Sequence, residues 1–304
     1  MQHLLYFSIL RGNQKKQHMD FYLKVQYHYF KGNLLRLFFF ISICTLSVNN
    51  ALAQGDLLVF PKRLVFEGRS KTEQINLANT GKETATYNVS FVEFRMNEAG
   101  GFEEIKEPDL GQQFATPFLR VYPRQVTLSP NESQTVKVQL VNTGELEVGE
   151  YRSHLYFRAV KNTKPLGQEK MEGDTNALSV KIETVFGVSI ATIIRKGDSD
   201  TAVTISALEY ENKEDLGTFL HFNINRIGNM SAYGDITVSY MSPQDKWYEV
   251  GKIKGIGVYT PGTLRKNKIL LQKPAGVNFN GGKFKVVYTS NEGTELIAEK
   301  ELDL

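Results

Sequence analysis

The sequence predicts an all-β protein built from two β-sandwich domains behind a cleaved leader. Three observations carry this. From Leu57 onward, short strand-like runs recur with turn residues between them. No amphipathic helix of convincing length interrupts them. The polar stretch Lys196-Gly197-Asp198-Ser199-Asp200 divides the runs into two groups.

The chain has 304 residues, enough for two ordinary domains after its first 53 are set aside. A basic segment (Lys24, Lys31, Arg36) precedes the apolar run Leu37–Val48, and Ala51-Leu52-Ala53 follows. This is the pattern of a secretory signal peptide cleaved before Gln54, with Met19 as an alternative start. The apolar run is too short for a membrane span. Ile43, bulky where a small residue is needed, argues against a lipidated Cys44.

The leader takes six of the 36 basic residues and one of the 33 acidic ones, leaving 30 against 32. The mature protein is thus near neutral, which removes the argument for nucleic acid as a partner. The leader also takes Cys44, the one cysteine, so no disulfide staples the mature chain. A secreted, cysteine-free, β-rich protein suits a bacterial periplasm or cell surface.

In the first domain, 54–196, strands are expected at Leu57–Phe66, Gln74–Ala78, Thr84–Met96, Phe118–Leu128, Gln134–Val141, Glu150–Val160 and Ile182–Arg195. Pro61 belongs at an edge or a strand switch. Asn97 to Gln113 reads as a loop, and so does the polar stretch Lys161 to Asn176. Strands at this spacing describe an immunoglobulin-like sandwich. The second domain, 197–304, repeats the class, with strands at Ala202–Tyr210, Thr218–Arg226, Gly234–Tyr240, Trp247–Ile253, Thr263–Leu271, Lys283–Ser290 and Leu296–Leu304.

The stretch Ile182–Arg195 is unusually long. Its even positions, Ile182, Thr184, Phe186, Val188, Ile190, Thr192 and Ile194, form one apolar or β-branched face. Two readings fit: a buried last strand running into a linker, or an exposed apolar edge that pairs with another chain. On pattern alone the first is simpler.

Candidates for chemistry are few. His154 and His221 stand within strands as lone structural histidines rather than metal ligands. Glu103-Glu104 and Glu145, Glu147 and Glu150 read as solvated surface charge. There is no nucleophile elbow, phosphate loop or H-E-x-x-H pattern. The expectation is a protein without catalytic residues, metal or cofactor.

Five segments, in order, give the chain a resemblance. Arg63-Leu64-Val65-Phe66-Glu67-Gly68, Phe118–Leu128 with Pro123, Tyr151–Phe157, Ile182–Arg195 and Asn225-Arg226-Ile227-Gly228-Asn229-Met230-Ser231-Ala232-Tyr233-Gly234 resemble landmarks of the periplasmic pilus-assembly chaperones of the chaperone–usher route. The resemblance spans the mature chain and implies two immunoglobulin-like domains in a boomerang arrangement. It implies donation of the Ile182–Arg195 strand to a pilin or fimbrial subunit, with Ile182, Thr184, Phe186, Val188 and Ile190 inserted. It also admits an outer-membrane usher as a further partner.

In that family an arginine and a lysine anchor the subunit's terminal carboxylate. Arg63 matches the arginine, whereas Ala191 stands at the lysine position, with Lys62 as a substitute cation. Arg195, with Lys196 and Gly197 beside it, matches an arginine that joins an interdomain ion pair. Arg152 stands where one acidic partner is expected. The competing readings are an exported two-domain adhesive or structural surface protein and, with only Trp247 and dispersed tyrosines, a glycan-binding module.

Overall fold

The computed structural model describes residues 57–160, 185–213, 216–290 and 293–304. The expected leader, the loop Lys161–Asn176 and the donor positions Ile182 and Thr184 lie outside them.

The first sandwich contains β1 (Leu57–Phe60), β2 (Arg63–Phe66), β3 (Thr72–Asn79), β4 (Ala85–Val92), β5 (Phe94–Met96), β6 (Phe102–Glu104), β7 (Leu119–Tyr122), β8 (Gln125–Leu128), β9 (Ser133–Leu140), β10 (Gly149–Ala159) and β11 (Gly187–Lys196). One sheet has the order β1-β3-β9-β7 and the other β2-β11-β10-β4-β8. This is the division of strands that defines an immunoglobulin sandwich. Alternate residues such as Ile75, Leu77, Val136, Val138, Leu155 and Phe157 fill the space between the sheets.

Two expected strands are each split at a proline. Leu57–Phe66 breaks at Pro61 into β1 and β2, and Phe118–Leu128 breaks at Pro123 into β7 and β8, with the halves joining opposite sheets. Proline has no N–H for a ladder, so the chain leaves one sheet there and enters the other. Thr84–Met96 breaks at Glu93, and the expected loop from Asn97 contains β6, which pairs with β5 in a separate ribbon.

The expected long strand is shorter than its pattern. Among the described residues it begins at Gly187, and its ten residues span about 33 Å. Alternation along it serves two surfaces. Ile190 and Ile194 enter the first core with Phe186 against it, while Ala191 and Ile193 pack on the other side with Val65, Met96 and Tyr259.

The second sandwich contains β12 (Ala202–Lys213), β13 (Gly217–Ile227), β14 (Ala232–Met241), β15 (Trp247–Val258), β16 (Leu264–Leu270), β17 (Lys283–Thr289) and β18 (Leu296–Asp303). Its sheets have the orders β12-β13-β16 and β15-β14-β17-β18. All seven strands expected from alternation occur here. Its core includes Phe222, Ile236, Tyr240 and Phe284. The Tyr240 hydroxyl, at the end of a buried ring, donates to Gly281 O at 2.8 Å and Asn278 O at 3.0 Å.

Both sandwiches belong to one unit, Gly55–Leu304. The link between them is tied at both ends. Lys196 Nζ donates to Leu146 O. Asn229 Nδ2 donates to Asp198 O at 2.9 Å, and Asn229 N donates to the Asp200 carboxylate at 2.7 Å. Between these ties Gly197 has φ +83°, a left-handed conformation that favours glycine.

Candidate functional site: an open strand edge and an arginine-lined junction

β11 pairs with β10 along its whole length, antiparallel, from Gly187↔Arg158 to Lys196↔Gly149. On its other side β2 pairs with it, parallel, only from Ala191↔Arg63 to Ile194↔Phe66. The strand switch at Pro61 sends the preceding residues to the opposite sheet as β1. Among the described residues, the Gly187–Ile190 half of β11 therefore has an open edge.

The hydrogen-bonding direction along this edge follows from one contact. Ala159 N donates to Phe186 O at 2.9 Å, which extends the ladder with β10 one residue beyond the assigned strand. In an antiparallel ladder alternate residues point their backbone groups to opposite sides. Phe186, Val188 and Ile190 thus face β10, while Gly187 and Ser189 present N–H and C=O to the open side.

The expected donor row is graded in burial. Phe186 and Val188 are half-buried, but Ile190 is only 5% exposed and belongs to the protein's own core. Ile190 is therefore corrected from an inserted residue to a core residue, because it lies opposite Leu155 where β11 is roofed by the other sheet. β1 also ends its sheet, on the same side of the sandwich, and its Leu58 and Phe60 are 58% and 66% exposed.

Where the open edge ends, the junction with the second sandwich begins. Arg63, the first residue of β2, lies beside Ala191 and stacks on the Tyr233 ring with Cζ 4.1 Å from the centroid. Its Nε–H is buried without an acceptor among the described residues. Burial, with the like charge of Arg195 adding to it, pulls its pKa below the ordinary value. Lys62, the expected substitute cation, is exposed and precedes the strand.

Arg195, expected in an interdomain ion pair, pairs instead with Glu150, its cross-strand neighbour on β10 of the same sandwich, and reaches the second sandwich through Ser231 O. Arg195 Nε lies 3.1 Å from Glu150 Oε2, and Arg195 Nη2 donates to Ser231 O at 2.8 Å. Glu150 also accepts from Ser231 N at 2.9 Å, from Ser231 Oγ and from Thr260 Oγ1 at 3.3 Å. Reading Glu150 as solvated surface charge is therefore incorrect. Its side chain is fully buried because the second sandwich covers this end of β10.

Arg152, two residues on and on the same face of β10, is 2% exposed. Its Nη2 donates to Thr260 O at 3.3 Å and its Cζ sits 4.8 Å from the Tyr259 ring centroid, while Nε and Nη1 have no acceptor among the described residues. Burial lowers its pKa, partly offset by Tyr259, Glu150 and Glu93. On the core side of β10, Ser153 Oγ accepts from Ala115 N and Thr116 N, each at 2.9 Å, and donates to Glu93 Oε1 at 2.9 Å. Burial pushes the Glu93 carboxyl above its usual range against the hydrogen bonds from Thr116 and Ser153.

His154 is buried edge-on against Phe94 and Phe102, with centroids at 5.0 and 5.2 Å. Burial, then the nearby Arg152 charge, pushes its pKa from 6.5 down to about 3. The native state thus leaves unbound a proton that the unfolded chain takes up below pH 6.5. Stability should fall as pH drops from 6.5 toward 3, by up to about 1.4 kcal/mol per pH unit for this group. Glu93, with its raised pKa, acts in the opposite direction. The difference in unfolding free energy between a His154→Phe variant and the wild type isolates the histidine, and should grow in the variant's favour on acidification. A pH-independent difference would contradict this.

The resemblance named Arg63, Ala191 and Arg195, without their pairing, and did not point to Glu150, Tyr233 or Tyr259. His221, expected to stand alone, has its Nε2 3.0 Å from Glu211 Oε2, its diagonal neighbour across the β12–β13 pair. The usable signal for Glu150 was its spacing of two from Arg152 on a strand whose other face is apolar.

No protein-family model matches the chain, and no curated protein matches it. Among solved structures it is similar to the YadV chaperone at 12% identity, with 82% of this chain and 100% of that chain covered and a TM-score of 0.41. It is similar to the Pseudomonas aeruginosa CupB2 chaperone at 12% identity, with coverages of 81% and 98% and a TM-score of 0.38. It is also similar to the CsuC–CsuE chaperone–tip adhesion subunit pre-assembly complex of Acinetobacter baumannii at 13% identity, with coverages of 82% and 98% and a TM-score of 0.41.

Proposed function

We propose that this protein is a non-enzymatic chaperone of the export compartment that lends the open edge of β11 to a pilin-like subunit with an incomplete sheet. The carrying observation is that β2 covers only Ala191–Ile194 and leaves Gly187–Ile190 with outward backbone groups and no partner strand among the described residues. Main-chain hydrogen bonds along such an edge supply affinity, and the half-buried Phe186 and Val188 supply apolar contact. Covering a subunit's exposed edge also keeps it from pairing with its like.

The same geometry supports a role for Arg63. A strand added to the open edge meets β2 at Ala191 and can go no further. If it runs parallel to β11, as β2 does, its C-terminal end comes to Arg63. A guanidinium there suits a terminal carboxylate.

Hydrogen exchange tests the reading. In protein purified together with the partner it retains from its own secretory compartment, the amides of Gly187 and Ser189 should exchange at least about tenfold more slowly than in the free protein. Those of Val188 and Ile190, already bonded to β10, should change little. Equal rates at Gly187 and Ser189 would move the surface-adhesive reading to the front.

A further inference from the structure

The junction holds more positive than negative charge. Glu150 pairs with Arg195 and acts electrostatically on Arg63, Arg152 and Arg226, so four guanidiniums share one fully buried carboxylate. Arg226 also has Asp200 and Arg152 has Glu93 nearby. Among the described residues Arg63 has no acid of its own, and the buried Nε–H of Arg63 and the Nε and Nη1 groups of Arg152 lack acceptors there. Unpaired buried cations are costly, so the site favours an incoming anion.

Tyr259 lies within electrostatic reach of both arginines. It forms one buried apolar cluster with Ala191 and Ile193, against which Val65 packs, and Arg152 lies against its ring. Its hydroxyl end lies against Gly257, where a Cβ would come within 2.9 Å of Cζ, so only glycine allows this ring position. Gly257 pairs across the sheet with Tyr233, the ring on which Arg63 stacks. The phenol of Tyr259 and the guanidinium of Arg63 therefore converge at the end of the open edge. A small residue at Ala191 leaves room for the ring.

We propose that Tyr259 supplies the second donor of a carboxylate site whose first donor is Arg63, with Arg152 as the buried charge behind it. The site thus replaces the missing lysine by a phenol supported by a buried arginine, and Lys62 has no part in it. The proposal rests on the chaperone reading for its ligand, the terminal carboxylate of a bound strand. A planar guanidinium fork plus one phenol O–H matches a carboxylate's two oxygens.

The test uses benzoate as a probe on the free, full-length mature protein, following the Arg63 Nε–Hε signal by NMR. Benzoate should shift that signal saturably and neutral benzamide should not. Tyr259→Phe, which keeps the ring and its contact with Arg152, should weaken benzoate about tenfold, the loss of one hydrogen bond to a charged group. Arg63→Gln, which lacks that reporter and is followed instead by the Gly257 amide signal beside both tyrosines, should abolish binding, and Lys62→Gln should leave it unchanged. No saturable shift, or an unchanged benzoate affinity in Tyr259→Phe, overturns the proposal. Edge protection at Gly187 and Ser189 with a failed benzoate titration sinks the tyrosine assignment alone. Benzoate binding as stated without any edge protection sinks the chaperone reading and leaves the carboxylate site standing.

Discussion

Replacing Glu150 with alanine is expected to lower stability by about 3–5 kcal/mol, the cost of breaking a buried ion pair by removing one partner. The substitution leaves Arg195 with only Ser231 O among the contacts described above, and takes the acceptor from Ser231 N, Ser231 Oγ and Thr260 Oγ1. These groups span both sandwiches, so their coupling should weaken together with their stability. Urea unfolding followed by Trp247 fluorescence, which reports on the second sandwich, and by circular dichroism, which reports on both, measures this. The wild type should show coincident transitions, and Glu150→Ala earlier and separated ones. A loss below about 1 kcal/mol, as for an exposed pair, would contradict the buried-latch account.

Most strands were legible because alternation is a local property. The second sandwich shows this best: β13, β14 and β17 alternate buried and half-buried residues along nearly their whole length. Pro61 announced a switch, but which sheet each half joins depends on pairings far away in sequence. Leu57–Phe66 and Phe118–Leu128 therefore read as single strands.

The site was less legible, for a related reason. Glu150 read as a surface charge, and Arg152 only as a residue standing where an acid is expected, because the pattern of β10 does not show that a second domain covers one of its faces. Ala191 and Ile193, on the face opposite the apolar row, pack on Tyr259, which the pattern of one strand does not show for the same reason. The parallel pairing of Arg63 with Ala191 brings together residues over a hundred positions apart. Only the resemblance of two short motifs named them together. The open edge is a negative feature, created where β2 begins, and no residue of β11 encodes it.

The lending of the Gly187–Ile190 edge is tested most directly by Ser189→Pro. Ser189 is exposed and points its N–H away from β10, so proline removes an outward donor and leaves the β10–β11 ladder whole. The circular dichroism spectrum and urea midpoint should stay close to those of the wild type. The measurement is the amount of small β-rich subunit that tagged wild type and variant bring down from an extract of the source organism. The account predicts that the wild type captures such a subunit and that Ser189→Pro, equally folded, loses it by about 100-fold or more, equivalent to roughly 2.7 kcal/mol. Equal capture by the two proteins would show that the edge of β11 is not the surface it lends.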